Sequence, residues 1–311
     1  MFSERLPWIG QDPASQKLFE LAQRVAPVPT TILISGERGT GKNYLARLMH
    51  ELGPRRDTPF LKIDCSALPY GLVEAELFGY ERGGFAGAGE RKIGAFELVM
   101  KGTVVLDGVE LLNAGAQGRL LRVLEEAKLE RLGGKEKVAV EARLIALTHA
   151  GVSAAVTEGR FREELYQRLD MAKIWVAPLR ERTADILPLA EYFLGTMRVK
   201  LGKPTAQLGE QAKASLQAYK WPGNIRELRD VLERAVMAER AETIEAEDFP
   251  AEVQASRKQD AGRSTRGLEE VEREAILATL EATGYQIGRS AEILGISRKT
   301  LLEKRKKFGM K

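Results

Sequence analysis

The sequence predicts an α/β protein, a parallel sheet flanked by helices, followed by an all-helical segment and a small helical module. Three observations carry this. Short β-rich runs, TILIS (31–35), FLKIDC (60–65), GTVVLD (102–107) and ARLIALTH (142–149), alternate with helix-patterned segments. That alternation is the mark of parallel strands joined by crossover helices. A glycine-rich turn, GERGTGK (36–42), lies between the first strand and a helix, and beyond about residue 175 the remaining pattern is helical.

The elements follow in order. PASQKLFELAQRV (13–25) has apolar residues at helical spacing and is broken by APVPTT. KNYLARLMHELG (42–53) is a helix closed by Gly53. PLRERTADILPLAEYFLGTMRVKLG (178–202) opens a helical segment with no good strand before residue 250. ASRKQDAGRSTRG (255–267) is polar, without periodicity or large apolar residues, and reads as a linker. The expected division is 1–174 for the α/β part, 175–254 for a helical subdomain, 255–267 for the linker and 268–311 for the terminal module. In that module LEEVEREAILATLEATG, IGRSAEILG and SRKTLLEKRKKFG read as three helices, with Ser297 capping the third. Gly295 makes the turn before it, and Ala291, Ile293, Leu294, Ile296, Leu301 and Leu302 supply a small core.

Composition narrows the function. Charged residues are 30% and apolar ones 44%, which excludes wholesale disorder. The net charge is only +4, but residues 286–311 hold eight Lys/Arg against two Glu. A basic end on a near-neutral body points to an acidic polymer, above all nucleic acid. One cysteine, Cys65, and two histidines, His50 and His149, exclude an internal disulfide and argue against a zinc cage. No signal-peptide core or long apolar run is present, so a cytoplasmic protein without membrane contact is expected.

The turn GERGTGK fits the phosphate-loop pattern in its required place between strand and helix. Gly36, Gly39 and Gly41, with Glu37 and Thr40 between them, let backbone N–H groups cradle phosphates, while Lys42 reaches their β/γ oxygens. Asn43 stands where a Ser or Thr metal ligand is usual. Asp107, closing the strand VVLD, is then the candidate Mg²⁺ residue.

Six motifs together carry a family resemblance: GERGTGK, DCSALPYGLVEAELFGYERGGFAGA, GTVVLD, GRFREELYQRL, PLRER and WPGNIREL. Their order and spacing resemble the AAA+ domain of bacterial enhancer-binding proteins, the sigma-54-dependent activators, and the tail is similar to their Fis-type helix-turn-helix, which implies double-stranded DNA. The resemblance covers Trp8 to Lys311. It implies ATP bound with Mg²⁺ between subunits of a ring, usually a hexamer, whose surface loops act on sigma-54 RNA polymerase. It places Lys42 on the phosphates, Asp107 on the metal and Thr148 in the sensor I region. Arg162 and Arg168 match arginine fingers given to a neighbouring subunit, and Arg226 matches sensor II. Gly83, Gly84, Phe85, Ala86, Gly87 and Ala88 stand for the sigma-54-contacting GAFTGA loop. With the P-loop strand starting at Thr31, an N-terminal sensory domain is not expected.

Five positions depart from that pattern. Gly108 replaces the water-polarising Glu after Asp107, and Asp64 replaces its Asn partner. Ala86 replaces the loop threonine, a second glycine at 84 is expected to loosen the loop, and His149 replaces the sensor Asn. Asp64 is a candidate substitute carboxylate; Glu110 is disfavoured, since two extra residues past a strand end change side-chain direction. Losing a base or water-orienting group costs ~10²–10⁴ in rate, so nucleotide binding with impaired turnover is expected.

In the tail, Arg298, Lys299 and Thr300 are placed near base edges, and Lys304 and Arg305, with Lys306 and Lys307, at phosphates. Three functions remain open: an ATP-driven sigma-54 activator, a non-hydrolysing DNA-bound regulator using nucleotide or a cyclic dinucleotide as an assembly switch, and a partner subunit lending its arginines to a mixed ring.

Overall fold

The computed structural model describes residues 6–69, 72–85, 89–149, 152–201, 207–238, 243–255 and 268–310. Two compact units divide the chain, Met1–Pro250 and Ala251–Lys311. The expected linker from 256 to 267 and the loop residues Ala86, Gly87 and Ala88 lie outside the described residues.

In the first unit the order is α1 (Pro13–Val25), β1 (Ile32–Ser35), α2 (Lys42–Leu52), β2 (Phe60–Asp64) and α3 (Leu72–Phe78). A short hairpin, β3 (Gly79–Tyr80) and β4 (Lys92–Ile93), precedes α4 (Ala95–Leu98), β5 (Thr103–Asp107) and α5 (Ala114–Glu126). A second hairpin, β6 (Lys128–Glu130) and β7 (Lys137–Ala139), leads into β8 (Arg143–Thr148), α6 (Val152–Thr157), α7 (Glu163–Leu169) and β9 (Lys173–Trp175). The helical part holds α8 (Ile186–Leu201), β10 (Gln207–Leu208), α9 (Glu210–Ala218), α10 (Asn224–Ala238) and β11 (Thr243–Ile244).

The central sheet is parallel, in the order β2-β5-β8-β1-β9. β1, β5 and β8 are buried along their whole length, as continuous apolar runs between two helical layers must be. Helix ends follow local chemistry: the Asp12 side chain accepts from the Ala14 N–H with Pro13 opening α1, and Asn113 accepts from the Ala116 N–H to start α5.

Two features differ from the sequence expectation. KIW forms a fifth, edge strand, and only its middle residue is buried. β10 and β11 form a two-residue parallel pair within the helical part, where no strand was expected.

The second unit has the three expected helices, Leu268–Ala282, Ile287–Ile293 and Arg298–Lys307. Ser297 caps the third, its hydroxyl accepting from the Thr300 N–H at 3.1 Å, and Gly295 turns with φ +66°. The core differs in detail. Ile276 and Leu280 of the first helix join Ala291 and Leu301, whereas Ile293 and Leu302 are 62% and 51% exposed. Leu301 and Leu302 are adjacent on one helix, about 100° apart, so only one faces inward.

Candidate nucleotide site

Ser35, Asp64, Asp107 and Thr148 are the last residues of β1, β2, β5 and β8, aligned by the sheet register: Ser35 pairs with Thr148, and Asp64 with Asp107. The carboxyl ends of parallel strands, where the order switches around β1, are where such sheets bind ligands. The glycine turn sits directly above them. Gly39 has φ +79°, and a Cβ there would meet the Gly223 carbonyl at 2.2 Å, so the turn and the start of α10 are in direct contact.

Lys42 is buried, and its Nζ donates to the carbonyls of Gly36 and Glu37, both at 2.7 Å. Burial pushes its ammonium down to about 8, against the pull of Asp107 and Glu110. A desolvated cation held only by neutral carbonyls is prepared to meet an anion. The Asn43 amide donates to Asp107 Oδ2 at 2.8 Å, and Lys62 Nζ lies 3.3 Å from the same oxygen.

Around this carboxylate several polar atoms are buried without any hydrogen-bond partner among the described residues. They are Asn43 Oδ1, Asp107 Oδ1, Thr148 Oγ1, Glu110 Oε2 and His149 Nδ1. Orphaned polar atoms are costly in a folded interior, and a cluster of them marks a place that another group completes. Buried amide, carboxylate and hydroxyl oxygens are the donors a hard divalent cation takes, so the residues present fit Mg²⁺. The replacement of Ser/Thr by Asn43 keeps an oxygen in this cluster.

The helical part grips the same turn. Arg180 donates to Glu37 at 2.8 and 2.6 Å, and Asn224 Nδ2 donates to Glu37 Oε2 at 3.2 Å and to the Arg38 carbonyl at 3.0 Å. Asn224 Oδ1 accepts from the Leu179 N–H at 2.7 Å, which ties WPGNIREL to PLRER. Arg226 is exposed and borders a cleft with Arg38 and Gly39. From PLRER, Arg182 donates to the Thr40 carbonyl at 2.7 Å, while Asp185 accepts from the Gln11 and Asp12 N–H groups and the Ser15 hydroxyl.

Sequence reasoning missed the neighbouring slot. A cavity of about 140 Å³ beside Thr40 and Gly41 is lined by Trp8, Ile9, Tyr44, Leu189, Tyr192 and Ile225. The aromatic and aliphatic residues of LPWIG and PLAEYF were the available signal, but nothing local joins segments that far apart.

Asp64 is engaged elsewhere. Its Oδ1 accepts from the Ser66 hydroxyl at 2.6 Å and the Ser66 N–H at 2.9 Å, and these bonds hold its carboxyl below the usual range. Glu110, disfavoured from sequence, instead turns into the site: its Oε1 accepts from the His149 N–H at 3.2 Å. Burial and the Lys42 charge lower the His149 imidazole below its ordinary value.

Arg162 and Arg168 are exposed on and beside α7. The Arg162 N–H donates to Gln117, and Arg168 lies 3.5 Å from Glu125 on α5; neither is recorded against its own phosphate turn among the described residues. Gly83 and Gly84 lie between β3 and β4, and Phe85 packs edge-on against Tyr80 at 4.9 Å. A Cβ at Gly84 would meet the Leu132 carbonyl at 2.3 Å, so this glycine permits close packing on the second hairpin. Arg131, buried at that base, bonds Glu97, Glu81 and Glu136.

In the second unit Arg298 and Lys299 are exposed, and Thr300 shares a 2.7 Å hydroxyl bond with Ser297. Lys304 is ion-paired with Glu272, and Arg305 is half-buried with an unpartnered Nε. Lys306 and Lys307 are exposed.

Sheet order, phosphate turn and helical lid define a P-loop module of the AAA+ type. Residues 8–175 match the Sigma-54 interaction domain, 180–266 the AAA+ ATPase lid domain, and 267–308 the bacterial regulatory protein, Fis family. The chain therefore belongs to the sigma-54-dependent family of transcriptional regulators. It is 42% identical over 299 residues to the transcriptional regulatory protein ZraR of Klebsiella oxytoca, spanning 95% of this chain and 68% of that one. It is 37% identical to FlbD of Caulobacter vibrioides, spanning 97% and 70%. The crystal structure of NtrX from Brucella abortus in complex with ATP is similar at TM-score 0.76 and 32% identity, covering 98% of this chain and 70% of that one. Among the described residues no helix is long and apolar enough to cross a membrane.

Proposed function

We propose that this protein binds ATP with Mg²⁺ between the subunits of a ring, and acts from DNA on sigma-54 RNA polymerase. The observation that carries the nucleotide reading is the set of orphaned oxygens beside buried Lys42. The phosphates would lie in the turn from Gly36 to Gly41 against Lys42, and the base in the slot lined by Trp8, Tyr44 and Ile225. Asp107, Asn43 and Thr148 would hold Mg²⁺, which on binding neutralises phosphate charge. Arg226 would reach the phosphates from the lid.

Ring assembly has its own support. Arg162 and Arg168 are solvent-facing, and Arg168 is paired with Glu125 at the surface, a contact easily exchanged for a phosphate. Hydrolysis that needs a neighbour's arginine depends on assembly. Gly108 removes the usual glutamate, so hydrolysis would be weaker than in a site that keeps it and would rest on another carboxylate; Gly83, Gly84 and Phe85 would present the loop to sigma-54, with Ala86 lacking the threonine hydroxyl. The terminal helices would dock on double-stranded DNA through Arg298, Lys299 and Thr300.

The test is titration of the full chain with a fluorescent ATP analogue, with Mg²⁺ and then with EDTA, alongside light-scattering mass. Binding that weakens on metal removal, loses that sensitivity in Asp107→Asn, and accompanies a multi-subunit mass is expected. Absence of analogue binding would sink the reading.

A further inference from the structure

Glu110, not among the residues the resemblance assigned a role, is built into the candidate nucleotide site. Gly108 ends β5 with φ +79° and ψ 48°, a left-handed conformation that suits glycine. Its N–H still donates to the Leu147 carbonyl at 3.0 Å, and its carbonyl accepts from the Leu111 N–H at 2.9 Å. The chain therefore reverses into a single tight turn, Val109–Leu111, that swings Glu110 back over the strand ends. There the carboxylate is fixed from one side only. Oε1 accepts from the His149 N–H, and Oε2 is buried without a partner, in the same cluster as Asp107 Oδ1 and Thr148 Oγ1. Its charge reaches Lys42 and His149.

Resting on the nucleotide reading above, we infer that Glu110 is the carboxylate that polarises the attacking water, in place of the residue absent at 108. One oxygen is anchored to the end of β8, and the other is free to accept from a water beside the γ-phosphate. In the reaction the water oxygen bonds to the γ-phosphorus. The bond from that phosphorus to the β,γ-bridging oxygen breaks, its electron pair leaving on ADP, and the water proton passes to Glu110. Asp64 is not so placed, because Ser66 satisfies its Oδ1 and holds its carboxyl acidic. Nor is the glutamate simply restored at 108. A side chain there inherits the left-handed φ, and its Cβ stands 3.2 Å from Leu111 Cδ1.

The test compares the full-length wild type with Glu110→Gln in single-turnover hydrolysis of Mg·ATP, in titration with the fluorescent ATP analogue, and in melting temperature. The amide keeps an oxygen for the His149 N–H, so folding is expected to survive. The expected result is a turnover loss of ~10²–10⁴-fold, with analogue affinity equal or tighter, unhydrolysed ATP retained on the variant, and an unchanged melting temperature. Turnover equal to wild type overturns the assignment. So does turnover lost together with affinity and melting temperature, which marks a structural role. A wild type that binds the analogue without hydrolysing ATP overturns the Glu110 role and leaves nucleotide binding standing; a wild type that does not bind it overturns both.

Discussion

Arg180 grips Glu37 with two parallel hydrogen bonds, 2.8 and 2.6 Å, joining the start of the helical part to the phosphate turn. Glu37 stands on the phosphate turn and Arg180 in a single 3-10 turn, Leu179–Glu181, so the pair ties PLRER to the phosphate turn. The Arg180 guanidinium, helped by Asn224, holds the Glu37 carboxyl at about 2, well below its ordinary 4.5.

That shift sets a pH window. A carboxylate with a depressed folded-state value contributes stability that is fully present above the unfolded value and is lost as pH falls through the folded one. The stabilising pair is therefore intact above about pH 4.5 and fades between 4.5 and 2. The wild type is expected to melt slightly above Arg180→Ala at neutral pH, with the gap closing towards pH 2. The gap stays small because both side chains are more than a third exposed and solvent screens them. A gap independent of pH, followed by calorimetry, would contradict this.

Asn224 is the sharper test of the same latch. It is fully buried, sits at φ +55°, and its amide joins Leu179, Glu37 and the Arg38 carbonyl. Asn224→Ala leaves the buried Leu179 N–H unpaired, a loss of ~1–3 kcal/mol, and puts a residue less tolerant of the left-handed region there. The expected outcome in urea unfolding of the first transition is a lower midpoint with an unchanged slope. A midpoint shift smaller than that of Arg180→Ala would show that the amide is dispensable.

What was legible in the sequence follows the range of the forces involved. The phosphate turn and Asp107 are read locally, because a glycine turn after a buried β-branched run has few other conformations, whereas Thr148 came only through the family resemblance. The helix caps Asp12 and Ser297 are equally local. KIW was not legible: three residues with one buried side chain carry no strand period. The direction of the Glu110 side chain was not legible, because it depends on the left-handed φ of Gly108 and on where the chain after β8 presents the His149 N–H. The Asn224 latch and the slot between Trp8 and Tyr192 join segments far apart in the chain, and no local pattern announces such a meeting.

The terminal module offers a test in which neighbouring lysines diverge. A DNA-binding protein releases counterions as it neutralises phosphates, so the logarithm of affinity falls linearly with the logarithm of salt, by ~0.9 per contact. Lys306 is exposed in the last turn of the third helix, free to contribute one full contact. Lys304 is held by Glu272 of the first helix and must give up that partner to reach a phosphate. Lys306→Ala is therefore expected to lower the salt slope by ~0.9, measured by fluorescence anisotropy on a duplex of unrelated sequence. Lys304→Ala should lower it by much less, and Glu272→Gln should raise it by freeing Lys304. Equal losses from the two lysine variants would mean that the ion pair with Glu272 breaks on DNA, and that the whole basic face contacts phosphate alike.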